Sequence, residues 1–466
     1  MTVRNRATLV EGDEAVRRAD AVGIIEEALA AVAPDRLLEG ILERSGDVVT
    51  IDGRTYDLDA ASDASADDVF VIGAGKGAGA LASAVLGRLG DAVSEALIVE
   101  KDASTVDSTA FDLPEDAVSV MEAGHPIPNG ASLAAGERVL ALADRAGPDD
   151  LVVCCITGGA SALLAAPDGI ELDAMARTTD RLLRAGAPIE DVNAVRKHLS
   201  AIKGGGLADR LAPATVESLI VVDEVAGDPW GPTAPDATTY ADALRVLDRY
   251  GLREAIPQTA SGRLERGAKG DRPETLDAAA IADLPVRNVV LADASSVCLP
   301  AAEAARERGY EPIVLSTRIE GEASEVGLVH AGIATDAVES GRPAEPPMAL
   351  VTGGETTVTV DGEGGEGGPN QETALGFARG VDGWSGIVGA FVGTDGTDGP
   401  TELAGAMATG ETRRRASEAG VPISDALAAN DAAGTVRELD DAIVTGPTDT
   451  NLMDLRIVLV GGDAPE

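Results

Sequence analysis

Aromatic residues make up only 2% of this 466-residue chain, so its 44% hydrophobic content is carried mostly by Ala, Val, Leu and Ile. Cores of that kind suit sheets covered by helices, and there is enough apolar material to exclude global disorder. Lysine is scarcer still. Only Lys76, Lys101, Lys197, Lys203 and Lys269 occur, among 37 basic residues set against 79 acidic ones, for a net charge of −42. No basic patch exists to neutralise phosphates, which excludes a nucleic-acid partner. Charge of this size repels itself in dilute buffer and reads as adaptation to salt. At 1 M the screening length falls to about 3 Å. The melting temperature is therefore expected to rise from low to molar KCl; a flat or falling curve would remove the halophile reading. Cysteine is limited to Cys154, Cys155 and Cys298, with no CxxC or HExxH spacing to bind a metal. Cys154 and Cys155 sit inside an apolar run, as small buried side chains do. No stretch of roughly 20 apolar residues could cross a bilayer. The N-terminus also lacks the apolar core of a secretion signal. A soluble, cytoplasmic protein without a membrane partner is expected.

The length allows two or three domains. Helical spacing runs over Ala15–Ala33, Ala131–Ala146 and Ile189–Ile202. Apolar runs at Asp68–Ile72, Ala96–Val99, Leu151–Ile156 and Val216–Val222 read as buried strands. Strands alternating with helices imply βαβ units and a mainly parallel sheet. Residues 253–284 are polar and punctuated by proline and glycine, and Val286–Leu291 reads as the first strand of a second α/β unit. Domains over 1–280 and 285–466 follow.

Four glycine-rich, oxygen-rich loops lie between Val351 and Leu455: Gly353–Thr357, Gly367–Glu372, Gly393–Pro400 and Thr445–Asn451. Glycine lets backbone amides approach a ligand. Asp, Glu, Thr and Asn supply oxygens for a hard cation or a hydroxylated substrate. Loops at strand ends are where open α/β sheets place their chemistry. Glu355, Asn370, Gln371, Glu372, Asp395 and Asp398 are the candidate binding residues here. Any one loop could be an ordinary turn, but four together favour a site.

In the first half, Gly73-Ala74-Gly75-Lys76-Gly77 turns a strand into a helix, whose N-terminus attracts anions. It is neither GxxxxGK[ST] nor GxGxxG. Packing alone could explain it, yet a chain nearly devoid of lysine keeps one at this turn. Gly75 and Lys76 are candidates, as are Gly158, Gly159 and Ser161 in Thr157–Ser161. Asn193, Arg196 and Lys197 share one helical face by their spacing and lead into Gly204-Gly205-Gly206. They could serve a polyphosphate or simply pair with surface acids. The acidic run Asp223–Asp228 could supply a base or hold Mg²⁺, which takes only one or two carboxylates.

In chain order, these motifs resemble the glycerate 2-kinase family, whose C-terminal portion is called the MOFRL domain. The matching stretches are Gly73–Gly77, Gly124–Asn129, Thr157–Leu164, Asn193–Leu207, Gly231–Thr239, Gly353–Val358, Gly367–Glu372, Gly393–Pro400 and Thr445–Leu455. The resemblance implies two α/β domains with mainly parallel sheets, the first Rossmann-like, facing each other across an active-site cleft. It implies ATP-dependent phosphorylation of D-glycerate at its 2-hydroxyl, with ATP and Mg²⁺ as cofactors. Lys76 matches the family's essential lysine and would neutralise the glycerate carboxylate or the moving phosphoryl group. Gly158–Ser161 and Lys197 would lie near the phosphates. Asp223 or Glu224 would accept the hydroxyl proton or hold the metal, with Asp228 as a metal ligand. Asp395 and Asp398 would order substrate or metal. Two departures stand out. The arginine of the family's GGRNQE motif is Pro369 here, and its SDVPGD motif is Asp223–Asp228. Arg196 or Lys197 is expected to supply the missing positive charge. The oligomeric state is left open, with a homodimer among the options. The rival readings are an NAD(P)H-dependent hydroxypyruvate reductase, opposed by the absent GxGxxG, and a non-catalytic sugar-acid-binding protein.

Overall fold

Val69–Ala74 and Leu151–Ile156 are apolar at every position and buried at every position, as strands sandwiched between helices must be. They form the middle of the first large sheet in the computed structural model, which describes residues 2–58, 68–107, 111, 113–114, 117–223, 231–360 and 364–461. A small antiparallel meander precedes that sheet: β1 (Leu42–Ser45), β2 (Val48–Ile51) and β3 (Arg54–Asp57). Then come β4 (Val69–Ala74), β5 (Glu95–Glu100), β6 (Val118–Glu122), β7 (Leu151–Ile156), β8 (Thr215–Val221) and β9 (Val286–Ala292). Their order is β6-β5-β4-β7-β8-β9, and β4 to β8 pair in parallel. The order reverses at β4, so β4 and β7 carry their loops side by side.

The second large sheet contains β10 (Glu311–Ile319), β11 (Met348–Gly354), β12 (Ile387–Gly393), β13 (Gly405–Thr409), β14 (Ala442–Ile443) and β15 (Asp454–Val460). Its order is β10-β11-β15-β12-β13-β14. Only β10 and β11 are parallel; the other pairings are antiparallel. The expectation of mainly parallel sheets therefore holds for the first sheet and fails for the second. At β12 and β13 the cause is local: they are joined by a loop with no helix in it, and without a crossover helix a strand returns antiparallel.

The chain divides into two units, and the division differs from the expected boundary. One unit comprises Leu38–Val222 and Asp228–Leu291; the other comprises Met1–Leu37, Asp223–Gly227 and Ala292–Glu466. Val286–Leu291 is thus the edge of the first sheet, not the start of the second, and Val216 donates its N–H to the Pro285 carbonyl beside it. The proline-punctuated stretch is not a linker either: Gln258–Ala268 is a helix that buries Ala260 and Leu264 in the core of that unit. At the other end, the helix Ala15–Ala31 packs on Ala294–Glu307 of the C-terminal unit. Arg308 pairs with Glu27 at 2.6 Å, and the Tyr310 hydroxyl donates to Asp20 at 2.9 Å. Arg18 is buried against Asp441 at 2.9 Å. No helix among the described residues is long and apolar enough to cross a membrane.

Candidate functional site

In the unit of the first sheet, the loops after β4 and β7 are tied together. Lys76 donates its backbone N–H to the Gly158 carbonyl at 2.6 Å, and the Thr157 hydroxyl donates to the Lys76 carbonyl at 2.9 Å. Gly75 has φ +132°, and a Cβ there would collide with Thr157, so this crossing demands glycine. The Gly75 amide itself goes to the Val99 carbonyl. The amides expected to await an anion at the next helix are also engaged. Gly77 and Gly79 donate to the buried carboxylate of Glu100, which burial pushes above the usual carboxylate range. What remains available at this turn is the Lys76 side chain, whose ammonium has no ion-pair or hydrogen-bond partner among the described residues. Ser161 is half-buried in the short helix Ala160–Leu163.

The helix carrying Asn193, Arg196 and Lys197 ends at Lys197, earlier than its apolar spacing suggests. Asn193 and Lys197 are half-buried and Arg196 is buried. Lys197 reaches the Asp236 carboxylate at 3.2 Å. Burial alone would raise Asp236, but Lys197 and the hydrogen bonds from Thr238 and Thr275 hold it below the usual range. Lys203 is buried with its ammonium on the Leu164 carbonyl at 2.9 Å, and burial depresses its pKa strongly. Glu224 and Asp228 lie outside the described residues.

In the C-terminal unit, three of the four glycine-rich loops meet around two buried carboxylates. Asp398 accepts the backbone N–H of Asn370 at 2.9 Å and of Gln371 at 2.8 Å, capping the helix Pro369–Gly380. The Asn370 side chain donates to Asp454 at 2.7 Å, and Gln371 donates to Thr401 at 2.9 Å. Asp454 also accepts from the Thr356 amide at 3.3 Å and pairs with fully buried Arg456 at 2.5 Å. The fourth loop joins through Thr448, whose amide donates to the Asp395 carbonyl. Asn451 donates to Asp223 at 3.0 Å. Asp395 is half-buried, with one oxygen held by Thr397 at 2.9 Å. Glu372 accepts from Asn430 at 3.0 Å, and Glu355 is exposed. Pro369 opens its helix, where a missing N–H does no harm.

The sequence reading missed Glu100, Asp236, Asp454 and Arg456. For the last two a signal existed: charges at alternate positions in an otherwise apolar strand point to one face and need partners there.

Burial pushes Asp398 up to about 7, against the lowering effect of the amides it accepts. A carboxyl raised on folding binds its proton more tightly in the native state. Its stabilising contribution is complete at low pH and is lost as pH rises toward 7. Asp398→Asn should therefore flatten the fall in melting temperature between pH 5 and pH 8 relative to wild type. An unchanged slope would show that Asp398 is ionised throughout.

Two family models cover this chain: "Domain of unknown function (DUF4147)" over residues 20–265 and "MOFRL family" over 348–454. A glycerate 2-kinase from Pyrococcus horikoshii is 35% identical over 94% of this chain and 96% of its own length. A crystal structure of glycerate kinase from Thermotoga maritima superposes with a TM-score of 0.77 at 32% identity, covering 94% of this chain and 97% of that one. A relative from Agrobacterium vitis, 38% identical over 84% of this chain and 87% of its own, is provisionally named a hydroxypyruvate reductase. The match to the kinases extends over 94% of the chain, and the chain belongs to the glycerate 2-kinase family.

Proposed function

We propose that this chain transfers the γ-phosphoryl group of ATP, with Mg²⁺, to the 2-hydroxyl of D-glycerate, giving 2-phosphoglycerate, ADP and a proton. The observation that carries this reading is Lys76. It is a half-buried lysine in a lysine-poor chain, held by its backbone at the ends of two adjacent parallel strands, with its ammonium uncommitted among the described residues.

Phosphoryl transfer asks little covalent chemistry of a protein; positioning and charge neutralisation supply most of the rate. Lys76 meets the negative charge of the substrate carboxylate or the moving phosphoryl group. The turn Gly158–Ser161 and the cations Arg196 and Lys197 serve the phosphates. Asp223 or Glu224 takes the hydroxyl proton. No cluster of three or more metal-ligating side chains occurs among the described residues. Magnesium needs only one or two carboxylates when phosphates and water complete its shell. Asp395, half-buried and oriented by Thr397, fits that requirement, and Asp228 is the second candidate. Bound magnesium would neutralise charge developing on the phosphates. Asp398, with both oxygens committed to amides, is a positioning residue that fixes Asn370 and Gln371.

Incubation with ATP across a panel of hydroxy acids in molar KCl, with NMR of the product, tests the reading. Phosphate appearing on C2 of glycerate supports it. NADH oxidation with hydroxypyruvate and no ATP consumption would favour the reductase. Should the charge of the motif arginine absent at Pro369 be supplied by Arg196 or Lys197, Arg196→Ala or Lys197→Ala should lower kcat about 10²-fold or more. Pro369→Arg should then gain little. A many-fold rise in kcat for Pro369→Arg, with the other two variants unaffected, would overturn the replacement.

A further inference from the structure

The three histidines divide by what their rings touch. His198 is buried with Nδ1 2.7 Å from the Ala194 carbonyl and Nε2 3.3 Å from the Glu274 carboxylate. His330 is buried with Nδ1 2.8 Å from the Val326 carbonyl and Nε2 2.9 Å from the Thr352 hydroxyl. Each of these rings is satisfied within its own unit. His125 is half-buried, and neither of its nitrogens has a hydrogen-bond partner among the described residues. The ring nitrogens are not sealed from solvent, so they are open to a ligand that would replace water there.

Its surroundings narrow the answer. A Cβ added to Gly159 would stand 3.0 Å from His125 Cδ2, 3.1 Å from His125 Nε2 and 3.4 Å from Lys76 Cγ. The imidazole and the lysine stem therefore flank the same glycine, which lacks the side chain that would part them. Gly159 has φ +83°, a second reason for glycine there. The charges that face His125 are Lys76, Lys101 and Arg196, all positive. Burial first, and those cations second, lower its pKa to about 4, so the ring is neutral at working pH. A neutral imidazole still offers one N–H donor. Beside an uncommitted ammonium, that donor suits an anionic oxygen.

We propose that His125 and Lys76 together hold one oxyanion of the substrate over Gly159, the imidazole donating a single N–H beside the ammonium. His125 is thereby a substrate-contacting residue that exchanges no proton. Which molecule carries the oxyanion, glycerate through its carboxylate or the nucleotide through a phosphate, rests on the kinase reading above.

With only three histidines, ring ¹H–¹⁵N spectra of the full chain in molar KCl can be assigned from His→Gln variants. D-glycerate, ADP and inorganic phosphate are titrated separately. The His125 ring signals should move while those of His198 and His330 stay. Movement with D-glycerate alone assigns the carboxylate; movement with ADP or phosphate alone assigns the phosphoryl group. His125→Phe should raise KM for whichever substrate moved the ring by about tenfold, the weight of one hydrogen bond, with kcat nearly unchanged. His125→Gln, which keeps an N–H, should recover much of that loss. A His125 ring unmoved by all three ligands, or a His125→Phe enzyme with unaltered KM for both substrates, overturns the proposal. Failure of the wild type to phosphorylate glycerate would sink the kinase reading alone. The phosphate titration needs no turnover and would still decide the oxyanion site.

Discussion

Lys76→Ala should lower kcat/KM by about 10³-fold or more while leaving the melting temperature within a degree or two of wild type. The size follows from removing a full charge that meets the negative charge of the reacting groups. The silence in stability follows from the geometry. The loop is held by backbone atoms, through Lys76 N on Gly158 and Thr157 on the Lys76 carbonyl, and both survive the substitution. Nothing among the described residues loses a partner when the ammonium goes. Lys76→Arg should recover only part of the activity, because a planar guanidinium differs from a compact ammonium in reach and shape. A coupled assay in molar KCl alongside thermal melting checks both halves. An alanine enzyme keeping most of its activity would make Lys76 a spacer.

Arg456→Met should have the largest effect on stability, about 3–5 kcal/mol, because it leaves a buried carboxylate without its counter-charge. In a unit of this size that corresponds to a fall of roughly 6–20 °C in melting temperature. Arg456 is fully buried, and its side-chain partners among the described residues are Asp454 and Thr356. Burial already raises Asp454, and Arg456 is the main opposing influence. Adding Asp454→Asn to the methionine variant should restore part of the loss, since an amide tolerates the site better than a lone carboxylate. Activity should fall as well, because Asp454 orients Asn370. An Arg456→Met protein within about 1 kcal/mol of wild type by denaturant titration would mean that Asp454 is protonated throughout.

Much of the first unit was legible because its strands are wholly apolar and its turns are rich in glycine. β4, β7 and β8 fall within two residues of their expected ends. Strand direction in the second sheet was not legible, since a buried apolar run looks alike whichever way it points. The placement of Ala15–Ala31 on the C-terminal unit was hidden for another reason. An amphipathic helix shows that it has a buried face but not which surface covers it. The lysine-poor composition singled out Lys76 and Lys197. It could not show that Lys197 is matched by Asp236, 39 positions away, while Lys76 has no partner among the described residues. Glu100 was overlooked because a glutamate closing an apolar strand looks like a surface charge until the helix amides arrive above it.

The strand nearest the C-terminus, β15, lies in the middle of its sheet, between β11 and β12. During synthesis, β10 and β11 emerge early and β12 to β14 follow, but the two groups cannot be joined until β15 leaves the ribosome. Until then each group shows an open edge of unpaired backbone, the kind of surface that templates misassembly. Shortening the chain by a dozen residues at that end should therefore cost far more than its length suggests, by splitting one sheet into two incomplete ones.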